Sequence, residues 1–165
     1  TDLKEKAFSP VGEKAFLIYL DNVTDVRNLG AIARSAECAG ANGLIIPQQG
    51  SAPINQDAIK TSAGALLRLP VCRINNLKTF VNTIKAHDIK IYSASEKANA
   101  LYTQINANEP LMLVMGSEES GVSPTMLKMS DELVKIPMKG EIESLNVSAA
   151  ASILLFEVVR QRLGI

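Results

Sequence analysis

The chain has 165 residues, 47% of them hydrophobic, and its 17 basic residues are balanced by 17 acidic ones. This length corresponds to one domain that can bury a substantial core. The balanced charge excludes a global basic surface of the kind that by itself indicates a nucleic-acid-binding protein, so any attraction for RNA must come from a local patch.

The number and spacing of cysteine and histidine residues, together with the hydropathy of the chain, exclude several other classes of protein. Cys38 and Cys72 are far apart in sequence and the chain has one histidine, so neither a disulfide framework nor a metal-binding spacing is present. We expect both cysteines to be reduced, small core residues, and we expect no bound metal. No apolar run approaches the roughly 20 residues that span a bilayer, and the N-terminus lacks the pattern of a signal peptide. These features predict a soluble, cytoplasmic protein without a membrane partner.

Along the chain, short apolar runs alternate with amphipathic segments. Residues 1–14 are polar, include Pro10 and Gly12 and begin without methionine, so we expect a linker from a longer protein ahead of one domain over residues 15–165. Predicted strands cover 15–20, 43–47, 70–74, 89–92, 110–115 and 131–137. Predicted helices cover 29–40, 55–67, 77–87 and 124–129, and a last helix starts at 147. The alternation predicts an α/β fold with a mainly parallel sheet and helices on both faces.

The last helix has the most regular pattern. Its apolar positions follow the spacing of one helical face, and they are Val147, Ala150, Ala151, Leu154, Leu155, Val158 and Val159. Ser144 and Asn146 precede this run, and either side chain could accept hydrogen bonds from the first turn as an N-cap. Taken alone, this stretch predicts a capped helix and nothing more.

Three segments in order combine polar side chains with glycines or turn residues. They read Asn28-Leu-Gly-Ala-Ile-Ala-Arg34, Met115-Gly-Ser-Glu-Glu-Ser-Gly121, and Ile136-Pro-Met followed by Gly140 and Ser144-Leu-Asn-Val-Ser148. Together they resemble the signatures of the SpoU-type RNA ribose 2′-O-methyltransferases of the SPOUT superfamily. The resemblance extends over about residues 16–163, which is nearly the whole chain.

This resemblance implies a fold and an activity. The fold is a Rossmann-like sheet whose C-terminal part, roughly residues 111–165, forms a trefoil knot, whereas an unknotted chain is the general expectation. The activity is methylation of a ribose 2′-hydroxyl in structured RNA by S-adenosylmethionine, with ribosomal RNA favoured over transfer RNA. The family also forms homodimers through the first and last helices, and its longer members carry a small RNA-recognition domain ahead of the catalytic one.

Asn28 and Arg34 match the catalytic asparagine and arginine of the family. Without the resemblance, Arg34 is equally well explained by a surface ion pair with Glu37 one turn on. Because an arginine remains protonated, we expect Arg34 to hold a phosphate and stabilise a developing alkoxide, and the identity of the general base stays open. Lys60, Arg68 and Arg73 add a modest positive density that is better explained as a solvated face than as an RNA contact.

The other two segments would hold the methyl donor. Gly116, Glu118 and Gly121 follow the carboxyl end of a buried strand, where α/β sheets place ligands, although a plain strand-to-helix turn has the same pattern. By resemblance, Glu118, Ser144 and Asn146 belong to the catalytic set. The resemblance assigns the remaining donor-binding positions to Ala94, Met115, Gly116, Gly121, Ile136, Met138 and Leu145.

Two other functions compete with this interpretation. A nucleotide-binding Rossmann enzyme is disfavoured because no strand is followed by Gly-x-Gly-x-x-Gly, the turn that cradles phosphates at such sites. A catalytically silent RNA-binding module is disfavoured because the catalytic-type Asn and Arg are both present and the net charge is neutral.

Overall fold

The computed structural model of the protein describes residues 14–165, and in this range seven strands and five α-helices alternate. The strands are β1 Phe16–Asp21, β2 Gly43–Pro47, β3 Val71–Ile74, β4 Lys90–Ala94, β5 Ala100–Leu101, β6 Leu111–Gly116 and β7 Glu132–Lys135. The helices are α1 Val26–Cys38, α2 Gln56–Thr61, α3 Leu77–Ala86, α4 Pro124–Met129 and α5 Val147–Leu163. Two short 3-10 turns lie at Ala65–Leu67 and Tyr102–Gln104. The predicted linker lies outside the described residues apart from Lys14.

All seven strands belong to one parallel sheet, in the order β3-β2-β1-β6-β4-β7-β5. The central strands β1 and β6 are buried along nearly their whole length, as expected for continuous apolar runs in a sheet covered on both faces. The predicted α/β architecture is therefore confirmed. All strands run in one direction, so their carboxyl ends form a single edge.

Helices cover each face of the sheet and divide the core in two. On one face, α1 and α5 pack over β1 and β6 through residues such as Leu29, Ile32 and Leu154. On the other face, α3 and α4 pack through Val81, Ile84 and Met126. The face under α1 and α5 is the one relevant to function, because these helices carry two of the three signature segments.

Strand β7 lies between two strands that are consecutive in the chain. Val134 pairs with Ala94 of β4 on one side and with Ala100 of β5 on the other, and all three strands are parallel. The connection 95–99 must therefore pass over β7, and the chain continues beyond it towards α5. Such a threaded strand is what the expected trefoil knot requires, and the knot itself stays a prediction.

The C-terminal end of α5 is fastened to the start of β1. The Arg162 guanidinium donates to the carbonyl oxygens of Lys14 at 3.1 Å, Ala15 at 3.3 Å and Ala107 at 2.9 Å, and it lies 5.2 Å from the centroid of the Phe16 ring. Hydrogen bonds from a charged donor are stronger than neutral ones. This contact fixes α5 at the amino edge of the sheet and thereby orients the opposite end of the helix, which begins at the carboxyl edge.

Three expectations need correction. Helix α1 begins at Val26 and not at residue 29, because Asp25 caps it by accepting from the N–H groups of Arg27 and Asn28. The predicted helix 55–67 is instead α2 followed by a 3-10 turn. Cys38 is exposed on α1, so its assignment to the core was wrong, whereas Cys72 is partly buried and both thiols are free.

None of the described helices is both long and apolar enough to cross a membrane.

Candidate active site

Three polar side chains from distant parts of the sequence meet where the carboxyl edge borders α1 and α5. The Asn146 amide nitrogen donates to Asn28 Oδ1 at 3.1 Å and to Glu118 Oε1 at 2.5 Å. Both hydrogens of this amide are used, so the orientation of the Asn146 side chain is fixed. Each signature segment contributes one residue to this chain of hydrogen bonds.

Asn146 is held in place by the helix that it caps. Its Oδ1 accepts from the backbone N–H groups of Ser148 at 2.9 Å and Ala149 at 3.4 Å, and from the Ser148 hydroxyl. Of the two predicted caps, the structure thus selects Asn146. The Glu118 carboxylate also accepts from the Val147 N–H at 3.3 Å, and a negative charge at a helix N-terminus is favourable. The start of α5 therefore fixes Asn146 and Glu118 together.

Asn28 lies in the first turn of α1 and is partly buried. Its Oδ1 is occupied by Asn146. The Asn28 amide nitrogen makes no hydrogen bond to any residue of the described range 14–165, so its two N–H donors are available to a ligand. The network thus presents an oriented pair of neutral donors at the carboxyl edge.

The loop after β6 folds back on itself, and Gly116 allows this. Ser117 and Gly121 form an antiparallel bridge, with the Gly121 N–H donating to Ser117 O at 2.8 Å. A Cβ at Gly116 would lie 2.1 Å from both the Gly121 carbonyl carbon and the Val122 nitrogen, a distance no side chain tolerates. Gly121 has a φ of 69°, in the left-handed region that favours glycine. Both glycines are needed to place Glu118 beside α5.

A buried carboxylate anchors the far end of the same loop. Asp21, at the end of β1, is 4% exposed; it accepts from the Ser123 N–H at 2.7 Å and from the Tyr19 hydroxyl at 3.4 Å. Burial raises the pKa of Tyr19 above its ordinary value, and the neighbouring carboxylate raises this pKa further. The phenol therefore stays protonated and can donate to Asp21, which ties the loop 116–122 to the centre of the sheet.

Three small or apolar positions of the predicted donor-binding set come together at the ends of adjacent strands. Ala94 ends β4, Gly116 ends β6 and Ile136 follows β7, and these strands are neighbours in the sheet, about 5 Å apart. The Met115 side chain is 2% exposed within the core, so Met115 can contact a ligand only through its backbone.

The segment 137–145, between β7 and α5, is exposed and has no regular secondary structure. Among the described residues, no backbone hydrogen bond is made by this segment. It displays large apolar side chains, with Met138 38% exposed, Leu145 40% and Ile142 82%. Apolar surface next to free backbone N–H and C=O groups is the chemistry that an adenosine ligand needs. The residues of this segment are therefore compatible with bound S-adenosylmethionine. Ser144, in the same segment, is exposed and forms a hydrogen bond with neither Asn28 nor Glu118.

Arg34 lies apart from the hydrogen-bonded set. It is exposed on α1, six positions beyond Asn28 and hence about 9 Å further along the helix axis. Arg34 forms no ion pair with Glu37, and within residues 14–165 no hydrogen bond occupies its guanidinium. The simple surface-pair explanation is therefore wrong, and the cation is free to meet an anionic ligand.

Sequence reasoning missed the residues that position this site. Asp25 accepts from the Asn28 N–H and Ser148 donates to Asn146, whereas Asp21 holds Ser123, just after the second signature segment. An Asp directly before a helix was the available signal for Asp25. Asp21 and Ser148 left no such signal, since their roles depend on contacts with other segments. In the part of the chain that the structure describes, no cluster of three or more metal-binding side chains occurs.

Comparisons with known proteins identify relatives of this arrangement. A model of the SpoU rRNA methylase family matches residues 15–156. The 23S rRNA (guanosine-2′-O-)-methyltransferase RlmB of Yersinia pestis is 41% identical over 150 residues, which are 91% of this chain and 61% of that protein. Other curated relatives are longer still, so that the chain spans 48% of one from Mycolicibacterium paratuberculosis.

Solved structures share the fold. The SpoU methyltransferase AviRb from Streptomyces viridochromogenes, in complex with the cofactor AdoMet, has a TM-score of 0.87 and 30% identity, covering 94% of this chain and 64% of that one. The TrmH/SpoU tRNA modifying enzyme of A. aeolicus has a TM-score of 0.84 and 27% identity, covering 98% and 83%. Similarity of this extent includes all three signature segments.

Proposed function

The chain belongs to the SpoU rRNA methylase family, and from this premise we propose that it transfers a methyl group from S-adenosylmethionine to a ribose 2′-hydroxyl of RNA. The hydrogen-bonded set of Asn28, Glu118 and Asn146 is the observation that carries the proposal, because one residue of each signature takes part. Ribosomal RNA is the favoured substrate, in keeping with the 23S rRNA activity named for the RlmB relatives.

Asn28 contacts the reacting ribose in this proposal. When bound, S-adenosylmethionine supplies an electrophilic methyl group on a sulfonium, which the 2′-oxygen attacks. Negative charge grows on that oxygen as its proton leaves, and the free N–H donors of Asn28 can stabilise it. Because Asn146 holds Asn28 Oδ1, these donors are oriented before the substrate arrives, so little reorganisation is needed.

Arg34 acts on the anionic part of the substrate. Its guanidinium is permanently protonated and forms two parallel hydrogen bonds with a phosphate, so it suits the backbone next to the target ribose. Exposure and the lack of an ion pair with Glu37 support this role. Because the chain has no net charge, we expect RNA binding by this domain to be weak and to fall steeply with added salt.

The methyl donor lies, in this proposal, between the loop 116–121 and the segment 137–145. Ala94 and Gly116 end β4 and β6 at the border of this pocket, and the exposed side chains of Met138 and Leu145 can cover the adenine. Ser144 contributes a hydroxyl to the donor carboxylate or to the ribose. Glu118 holds Asn146 and the first turn of α5 at the border of this pocket.

We further propose a symmetric homodimer through α1 and α5. These helices pack on each other and are joined by the hydroxyls of Ser35 and Ser152 at 2.8 Å. Phe156 on α5 is 45% exposed, so a large aromatic side chain is available for contact on this surface. An isologous contact over this surface would bury Phe156 and bring the partner close to Arg34.

The remaining assignments follow the same activity. Methyl transfer from a sulfonium needs no metal, and we propose a cytoplasmic protein because RNA is modified where it is made and used. The two rivals are less well supported. The interpretation as a Rossmann-type nucleotide enzyme does not explain why the chain belongs to this family. The interpretation as a silent binding module does not explain why all the signature residues are present.

Two assays together test the function. Transfer of tritiated methyl groups to unmodified 23S rRNA should depend on both the protein and S-adenosylmethionine. Mass-spectrometric mapping of ribose methylation in RNA from cells with and without the gene should then reveal one 2′-O-methyl group that is missing without it. Identical methylation maps in the two strains, together with no transfer to ribosomal or transfer RNA, would overturn the proposal.

A further inference from the structure

A cavity of about 360 Å³ opens at the carboxyl edge of the sheet, on the face opposite α1 and α5. Its lining includes the apolar residues Pro47, Ile74 and Leu77 and the buried Tyr19, which we take as the base of the cavity. Tyr19 is 2% exposed and its hydroxyl is bound to Asp21, so this base is rigid. The volume falls in the range of small-ligand sites.

Three primary amides surround the mouth of this cavity. They are Gln48, Gln49 and Asn75, all exposed, and within residues 14–165 none of their side chains makes a hydrogen bond. None of the described residues that line the cavity is charged. It therefore does not suit a phosphate or an amine, and it suits a neutral, flat ligand with paired donors and acceptors on its edge. A nucleobase has this chemistry, and Gln and Asn amides are established partners for base edges.

The cavity is structurally connected to the candidate active site. The loop that carries Gln49 is bound to the connection before α1, since the Ala52 N–H donates to Val23 O at 3.0 Å. Strand β2, which ends at the cavity, is two strands from β6, and this corresponds to about 10 Å along the edge. Arg73 and Lys78 flank the lining residues in sequence and are exposed, so cations are available for the adjoining phosphates.

We propose that this cavity receives an unpaired base of the RNA substrate, at a nucleotide other than the one that is methylated. This inference rests on the proposed function. It assigns part of the RNA specificity to Gln48, Gln49 and Asn75, which lie outside the three signature segments. Single-stranded loops, whose bases can be turned outward, would be preferred over regular duplexes.

The first test compares a Gln48→Ala/Asn75→Ala double variant with the wild-type protein on an unmodified 23S rRNA transcript. We expect KM for RNA to rise about tenfold, with kcat and KM for S-adenosylmethionine unchanged. Asn82→Ala, which removes an exposed amide from α3 outside the cavity, is the matched control and should behave as wild type. An unchanged KM for RNA in the double variant would overturn the proposal.

The second test does not depend on turnover, so it separates this proposal from the proposed function. Side-chain amide NMR signals of Gln48, Gln49 and Asn75 are followed during titration with AMP, GMP, CMP and UMP, with ribose 5-phosphate as the base-free probe. At least one nucleotide should shift these signals and ribose 5-phosphate should not. No shift with any nucleotide, or equal shifts with ribose 5-phosphate, would exclude a base-binding cavity even if methyl transfer is demonstrated.

Discussion

Asn146 donates a hydrogen bond to Asn28 across 118 positions of sequence, with the amide nitrogen 3.1 Å from Oδ1. The first residue caps α5 and the second lies in the first turn of α1, so two helix N-termini meet at this contact. The positive ends of both helix dipoles thus border the place where an alkoxide or a phosphate would carry negative charge. The Asn146 side chain therefore both caps α5 and positions Asn28, the residue proposed to act in catalysis.

These two roles of Asn146 can be separated by substitution. Asn146→Ser keeps an oxygen that can cap α5, whereas Asn146→Ala removes it, and neither retains the amide that holds Asn28. We expect both variants to lose about 100-fold in turnover because Asn28 is no longer positioned. The alanine variant should be less stable than the serine variant by about 1 kcal/mol, because it alone lacks the cap. Urea denaturation and methyl-transfer assays measure the two effects, and full turnover by the serine variant would contradict the positioning role.

Arg34→Ala should abolish methyl transfer while the affinity for S-adenosylmethionine stays within a few-fold of wild type. The reason is that Arg34 is exposed on α1 and contacts neither the loop 116–121 nor the segment 137–145. Isothermal titration with the methyl donor and a tritium-transfer assay give the two quantities. Lys85→Ala, which removes an exposed cation in the last turn of α3, serves as the control. Substantial turnover by the Arg34 variant would refute its assignment.

Much of the fold was predictable because its signals are local. Continuous apolar runs predicted the buried parallel strands, and the spacing from Val147 onward predicted α5 together with its cap. Gly40, predicted to follow the end of the first helix, has a φ of 78° at that position. Parallel strands place all their carboxyl ends at one edge, so the element assignments predicted that Ala94, Gly116 and Ile136 share that edge, but their adjacency follows only from the strand order β6-β4-β7 in the structure.

The features of the fold that could not be predicted depend on contacts between segments that are distant in sequence. Strand β5 is two residues long and exists because β7 is inserted beside it, which no local pattern in the segment 93–108 reveals. The start of α1 was misplaced because Asp25 lies among other polar residues and only the folded chain shows that it caps the helix.

Gly116→Ala should lower both stability and methyl-donor affinity. The loop itself requires glycine here, since any Cβ would lie 2.1 Å from the Gly121–Val122 backbone. The displaced loop should cost about 1–3 kcal/mol and move Glu118. Gly40→Ala is the control, because its φ of 78° makes an alanine costly there while the position, just after α1, lies outside both donor-binding loops, so it should lower stability without changing donor affinity. Thermal unfolding and isothermal titration measure the two losses; unchanged donor affinity would argue against this loop as part of the site.

The proposed homodimer predicts a specific response at Phe156. In light scattering, the protein should have twice the mass of one chain, and Phe156→Glu should give the monomer because a charge in an apolar isologous contact is introduced twice. Leu67→Glu provides a control, since Leu67 is 74% exposed in the 3-10 turn on the α2 side of α1. A monomeric wild-type protein, or a Phe156 variant that remains dimeric, would contradict the proposed interface.

Acid stability should depend on Glu157, a buried carboxylate on α5. It accepts from the Arg160 guanidinium at 3.0 and 2.8 Å and from the Gln161 amide at 3.0 Å. The hydrogen bonds from Arg160, more than any other cause, lower the pKa of Glu157, against the opposing effect of burial. Because the folded pKa is below the unfolded one, this carboxylate stabilises the fold above the usual glutamate pKa of about 4.5, and the contribution is lost as the pH falls through the folded value.

Glu157→Gln removes the ionisation while keeping the shape of the side chain. The urea midpoint of the wild-type protein should therefore exceed that of the variant at neutral pH, and the two should converge as the pH falls below about 4.5. The half-exposed Arg160 is screened by water, so the difference should shrink with added salt at neutral pH. A difference between the two midpoints that stays constant from neutral to acidic pH would show that the ionised carboxylate does not contribute to stability.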